Sequence, residues 1–196
     1  FNREEADLTK SLVHPYVPRF PRHVSYDLVL FGSWRRKGVY VGEKQIASPG
    51  SYPVAGFNFA PMYNLNYKLR FGVSLDGVYD GSANVYTEDA LVEYDAGSGS
   101  SRRKFLVPGI QNQLALGLSG RAEYVMPFFT IGVGLGTNVL GRGDLRGLYQ
   151  VFALKINVTR SSFLHIGYNL QDFQTPNYLM LGLGFRFNNK YPKVRH

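Results

Sequence analysis

Between Tyr67 and Ser82 the chain changes character at every residue. Alternate positions give an apolar row, Tyr67, Leu69, Phe71, Val73, Leu75, Gly77 and Tyr79, and a polar row, Lys68, Arg70, Gly72, Ser74, Asp76, Val78, Asp80 and Ser82. A period of two belongs to a β-strand that separates two environments, and about 9–11 tilted residues suffice to cross a bilayer. A strand this long with so apolar a face is expected to turn that face to lipid.

The pattern recurs at His23–Trp34, Ala55–Pro61, Leu114–Tyr124, Phe129–Gly136, Tyr149–Thr159, Leu164–Gln171 and Tyr178–Phe187. That gives eight strands. The connections between them alternate, long at 35–51, 83–104 and 141–147, short near Asn64, Pro127 and 160–162; only the last long-side connection, 172–176, is brief. Even strand number, tight turns at one end and longer loops at the other describe an outer-membrane barrel with both chain ends periplasmic. The expected fold is all-β, an eight-stranded antiparallel transmembrane (outer-membrane) β-barrel over 23–187. A proline-containing periplasmic arm (1–22) and a periplasmic tail (188–196) flank it.

A soluble eight-stranded barrel would alternate too, so the contents of the faces decide. The apolar rows are almost free of charge, while the polar rows mix both signs with small residues such as Gly132, Gly134 and Gly136. Small residues fit a narrow lumen, whereas a water-facing wall would carry Lys and Glu throughout. Tyr26, Trp34, Tyr67, Tyr79, Tyr124, Phe129, Tyr168 and Phe187 are placed to form interfacial aromatic girdles. Asp27, Lys68, Arg70, Asp76, Asp80, Arg121, Glu123, Lys155, His165 and Arg186 would fill the interior as a plug of ion pairs, with His165 hydrogen-bonded. A plugged lumen argues against a porin.

Averages hide all of this: 44% hydrophobic residues and a mean hydropathy of −0.17 suit a soluble protein equally well. The 196 residues suffice for one domain, and no apolar run approaches the roughly 18 residues of a membrane helix. With no cysteine, disulfides and thiol chemistry are excluded. Four scattered histidines form no metal motif, and no cofactor is expected. A chain that starts at Phe1 without Met suits an exported protein whose signal has been cleaved.

The formal charge is +8, and nine of the basic residues sit in the long connections, where acids are fewer: Arg35, Arg36, Lys37, Lys44, Arg102, Arg103, Lys104, Arg142 and Arg146. On a bacterial surface the nearest dense anion is lipopolysaccharide phosphate, so Arg35, Arg36, Lys37, Arg102, Arg103 and Lys104 are candidate contacts. Nucleic acid is not an expected partner, because these charges ride on loops rather than on a helix or aromatic-interleaved sheet. Outer-membrane lipid and other outer-membrane proteins are.

One constellation carries chemistry. Asp80 and Ser82 share a strand face, with Asn84 following as an amide donor; a hydroxyl nucleophile needs a base beside it and a donor for the oxyanion. Here the chain resembles the PagL-type lipid A 3-O-deacylases and their acyloxyacyl-hydrolase-like relatives from Bacteroidetes. The eight-strand layout, the segment Leu75–Ser82 (LDGVYDGS) and the closing Asn177–Phe187 (NYLMLGLGFRF) carry the resemblance. It implies hydrolysis of an acyl ester of lipid A by a serine, a histidine two residues before it and a glutamate further on. Ser82 matches the serine, Asp80 holds the histidine position, and the glutamate falls at Glu88 or Glu93. Asp80 and Ser82 lie on the polar row, and a bulge near Gly77 or Gly81 would be needed to turn them to lipid. Two functions follow as expectations. The first is a non-enzymatic structural, accessory or lipopolysaccharide-contacting barrel; the alternative is a lipid A ester hydrolase with a degenerate serine site.

Overall fold

The computed structural model describes residues 20–36, 38–41, 44–47, 51–95, 100–106, 109–173 and 175–190. Twelve strands run in chain order: β1 (His23–Arg35), β2 (Gly38–Val41), β3 (Lys44–Ala47), β4 (Tyr52–Asn64), β5 (Leu69–Asp80), β6 (Tyr86–Asp95), β7 (Ser100–Leu106), β8 (Leu114–Val125), β9 (Phe129–Leu140), β10 (Leu148–Asn157), β11 (Ser162–Gln171) and β12 (Thr175–Phe187). Eight close into an antiparallel barrel in the order β1-β12-β11-β10-β9-β8-β5-β4, with β1 pairing β4. These are the eight strands read from the alternation, and the fold is the closed antiparallel barrel of the outer-membrane type. Closure leaves no open sheet edge, so every wall strand satisfies its backbone within the barrel.

Five wall strands are longer than the sequence pattern suggests, 12 or 13 residues in β1, β4, β8, β9 and β12, whereas β5, with 12 residues, is shorter than the Tyr67–Ser82 alternation. Two connections expected to be plain loops carry antiparallel hairpins, β2–β3 after β1 and β6–β7 after β5. One barrel end thus bears the hairpins, and the other the tight turns at 65–68, 126–128 and 158–161. Of the arm and tail, residues 1–19 and 191–196 lie outside the described residues, as do Ala96–Gly99 of the Gly/Ser run.

The faces follow the alternation. Leu30, Val73, Leu118, Leu135, Phe152, Leu181 and Leu183 are about half exposed on the outer wall, while Val29, Val151, Phe163 and Met180 are buried inside. Glycine makes the narrow interior fillable. A Cβ on Gly134 would stand 2.7 Å from Cδ of Arg121, whose side chain occupies that space instead. Lys68 departs from the expected lumen set: β5 begins at Leu69, and Lys68 is exposed in the preceding turn.

Candidate functional site

Three aspartates organise the interior in tiers. Nearest the tight turns, Asp27 of β1 accepts from Arg70 Nη2 (2.6 Å), Lys155 Nζ (2.8 Å) and Arg186 Nε (3.0 Å). Glu123 of β8 accepts from Arg70 Nε (2.6 Å) and pairs with Lys155 (2.7 Å). Lys155 and the Arg186 guanidinium also lie 5.0 and 5.2 Å from the Phe163 ring centroid, which adds cation–π attraction. All five charged groups are at least nine-tenths buried, so each depends on the others for compensation. His165 is buried beside this tier, at the position opposite Lys155. Contrary to expectation, neither of its ring nitrogens makes a hydrogen bond, since Lys155 spends its ammonium on the two carboxylates.

The second tier centres on Asp76 of β5. Its carboxylate accepts from Arg121 Nη2 (2.9 and 3.0 Å), from the Ser74, Ser119 and Tyr149 hydroxyls (each 2.6 Å) and from Asn58 Nδ2 (2.7 Å). These bonds tie β4, β5, β8 and β10 together across the interior.

The third tier holds the sequence candidates. β5 ends at Asp80, and a turn at 81–84 folds inward, with Ser82, Ala83 and Val85 buried. The Ser82 hydroxyl donates to Asp80 Oδ1 at 2.6 Å, and the Ser82 backbone N–H donates to the same oxygen at 2.9 Å. That is the side-chain-to-backbone closure of an aspartate-led turn. The other carboxylate oxygen takes Nη1 of Arg35 at 2.8 Å, and the same Nη1 donates to Oδ1 of Asn177. Asp80 N–H reaches the Gln113 carbonyl, and Gln113 Nε2 donates to the Gly81 carbonyl. Ser82 is 0% exposed.

β5 keeps an unbroken register with β4 and β8, so no bulge turns Asp80 and Ser82 toward lipid. Asn84 sits at φ 56° and donates Nδ2 to the carbonyls of Asn112 and Arg142. It thereby ties the β5–β6 turn to the β9–β10 connection. Gly143 answers it at φ 55°, where a Cβ would stand 1.9 Å from Asn84 Oδ1. Glu88 and Glu93 lie on β6, and Glu93 is in register with Arg102 of β7. The structure therefore brings Asp80 and Ser82 into contact, uses Asn84 as a stitch between loops, and places both glutamates on a separate hairpin.

Arg35 is a correction to the expected lipid-phosphate contacts. As the last residue of β1 it has lumen parity with Asp27 and Ser33, so its guanidinium turns inward to Asp80. Continuing the inward row past Trp34 would have found it. Arg36 is exposed, Lys37 lies outside the described residues, and Arg102, Arg103 and Lys104 occupy β7. Asn177 could not be found that way. The β11–β12 register slips between Asn169 and Leu170, where Asn169 pairs with Tyr178 and Leu170 with Pro176, which leaves Asn177 as the extra residue of a bulge. The bulge re-aims its amide to Arg35 and to Asn169 Oδ1 (3.2 Å).

The family model described as PagL_C, acyloxyacyl hydrolase, C-terminal domain, matches residues 24–189. Among solved structures, Ail, the attachment invasion locus protein of Yersinia pestis, is 16% identical with a TM-score of 0.43, over 85% of this chain and 100% of that one. Ail in complex with the heparin analogue sucrose octasulfate gives 14% identity and 0.41, over 86% and 100%. Neisserial surface protein A gives 15% and 0.39, over 85% and 98%. No curated protein matches the sequence.

Proposed function

The chain belongs to the acyloxyacyl hydrolase C-terminal domain family, and from that premise we propose that it works as a non-hydrolytic outer-membrane barrel, a structural or accessory subunit that contacts lipopolysaccharide. The observation that carries this reading is the state of Ser82. Its hydroxyl is fully buried on the lumen side and donated to Asp80, whose charge is shared with Arg35. A serine nucleophile needs a base free to take its proton and an approach for the ester. Here the carboxylate is engaged by a cation, and the wall stands between the hydroxyl and any acyl chain.

Exposed Arg36, Arg142 and Arg146 at the hairpin end supply cations for lipid phosphates. This orientation leaves the tight turns and both chain ends periplasmic, the arrangement usual for such barrels. Mass spectrometry of lipid A incubated with the detergent-purified protein and with folded Ser82→Ala tests the reading. It expects unchanged lipid A in both; loss of one hydroxyacyl chain with the wild type alone would overturn it. That outcome would instead support a deacylase, the second reading, which rests on a serine retained within the matched segment. For the lipopolysaccharide contact, charge reversal at Arg36, Arg142 and Arg146 together is expected to lower lipopolysaccharide binding at low salt at least about tenfold.

A further inference from the structure

At the barrel end that carries the tight turns, the two chain ends leave side by side. β1 starts at His23 and β12 stops at Phe187. In the β1–β12 register Tyr26 faces Phe187 and Asp27 faces Arg186, so an unbroken ladder would set Lys190 opposite His23. The ladder stops instead, because Asn188 turns to φ 55°, a left-handed conformation that asparagine adopts more readily than most side chains. Side chains then hold the tail against the rim. Asn188 donates Nδ2 to the Val24 carbonyl at 2.7 Å. Asn189 donates Nδ2 to the Arg160 carbonyl at 2.8 Å, and its own carbonyl accepts from Arg160 Nη2 at 3.1 Å. The next residue is held by His23, whose Nε2 accepts the Lys190 backbone N–H at 3.3 Å.

The other ring nitrogen of His23, Nδ1, lies 2.7 Å from the Pro21 carbonyl oxygen. A carbonyl only accepts, so Nδ1 carries the proton, and in the neutral ring Nε2 is then the acceptor that Lys190 requires. One imidazole thus clasps the arm with one nitrogen and the tail with the other. It is 7% exposed, with Phe20 packed on it at 5.7 Å between centroids and Phe20 in turn edge-on to Tyr67 at 4.8 Å. A second proton has one place to go, Nε2, and there it sets donor against donor. The Lys190 bond is lost, whereas the Pro21 bond and the contacts of Asn188 and Asn189 keep their partners. The charged and titratable groups around the ring are Arg22 on its own segment, Tyr67 and Lys68 in the turn after β4, Arg160 in the turn after β10, and Lys190 itself. On β4, neutral Asn64 donates to the His23 carbonyl, and further along the inward row of β1 stands Asp27 with Arg70, Lys155 and Arg186. We propose that His23 is a proton-operated latch between the two chain ends: neutral, it holds arm and tail together; protonated, it releases the tail at Lys190, with Asn189 as the fixed end. The released end is basic, since Lys193 and Arg195 follow Lys190. The latch uses no group of the Ser82 tier, which lies at the opposite end of the barrel, and it stands under either reading of that serine.

Because the chain has no cysteine, a single nitroxide can be attached at Lys190→Cys, which keeps the backbone N–H that makes the bond. In a separate sample Ser161→Cys, exposed on the same rim, carries the control label. Electron paramagnetic resonance of the folded protein in detergent micelles reads the mobility of each label between about pH 8 and about pH 5, the range over which histidines commonly change charge. The label at 190 is expected to be held at the upper end, and the ratio of mobile to held label to rise at least about fivefold at the lower end, as for the loss of one hydrogen bond. The label at 161 is expected not to change. His23→Gln has no second proton to take, so the step at 190 should vanish, at whichever mobility the label settles. Nitrogen NMR of the wild-type ring gives a reading that needs no variant: the Nδ1–H tautomer at the upper end, titrating over the same interval as the label. Unchanged mobility at 190, an equal change at 161, a step that persists in His23→Gln, or an Nε2–H tautomer in the neutral ring would each overturn the latch.

Discussion

Replacing Asp27 by Asn removes one of the two carboxylates that hold Arg70, Lys155 and Arg186 inside the barrel. The tier carries three cations and two acids, a net +1, with every member at least nine-tenths buried. The substituted amide would keep one carbonyl acceptor but leave three cations facing Glu123 alone, a net +2. Breaking a buried pair by removing one partner costs about 3–5 kcal/mol, because the remaining charge stays desolvated. Asp27→Asn is therefore expected to lower barrel stability by about that amount, measured by equilibrium urea unfolding with the folded and unfolded bands separated on an unboiled gel. Adding Lys155→Met restores the net +1 with two cations and one acid, and should recover at least about half of the loss as a coupled pair. A cost below about 1 kcal/mol for Asp27→Asn, or no recovery in the double variant, would refute the claim that charge balance holds this tier.

Other consequences are as direct. Gly136→Val should cost about 1–3 kcal/mol or more by the same assay, because its Cβ would meet Tyr149 Cζ at 2.5 Å and the Leu118 carbonyl oxygen at 2.7 Å, and backbone cannot yield. Leu181→Arg, at mid-height on the outer wall and 51% exposed there, should cost about 2–4 kcal/mol in bilayers, whereas a water-facing wall would tolerate it. Arg35→Gln strips Asp80 of its cation and should cost about 1–3 kcal/mol, moderated by the partial exposure of Arg35, with the loss shrinking in Asp80→Asn.

The barrel was legible in the sequence because one physical constraint repeats at every second residue. Lipid outside and a narrow polar lumen inside leave no freedom in the pattern, so Leu30, Leu118 and Leu181 on one side and Asp27, Glu123 and Arg186 on the other could be placed from parity. Features set by turns and bulges were not legible that way. Lys68 has lumen parity but falls in the turn before β5, and Asn177 is re-aimed by an extra residue that no alternation reveals. The β2–β3 hairpin escaped because strands of four residues are too short to show a period. At the site, the sequence put Asp80 and Ser82 on one face, and the carboxylate closes a local turn on Ser82; that it also binds Arg35 depends on a contact between residues 45 apart in the chain.

The even row of β5, Asp80 included, faces a plugged interior while the odd row faces lipid. Because the chain has no cysteine, single cysteines placed from Leu69 to Asp80 can each carry a fluorophore, and quenching by brominated acyl chains reads their exposure to lipid. Strong quenching is expected at 69, 71, 73, 75 and 79 and little at 70, 74, 76 and 80. A phase reversal near Gly77 that brings position 80 into contact with the brominated chains would contradict it and return Ser82 to the lipid face.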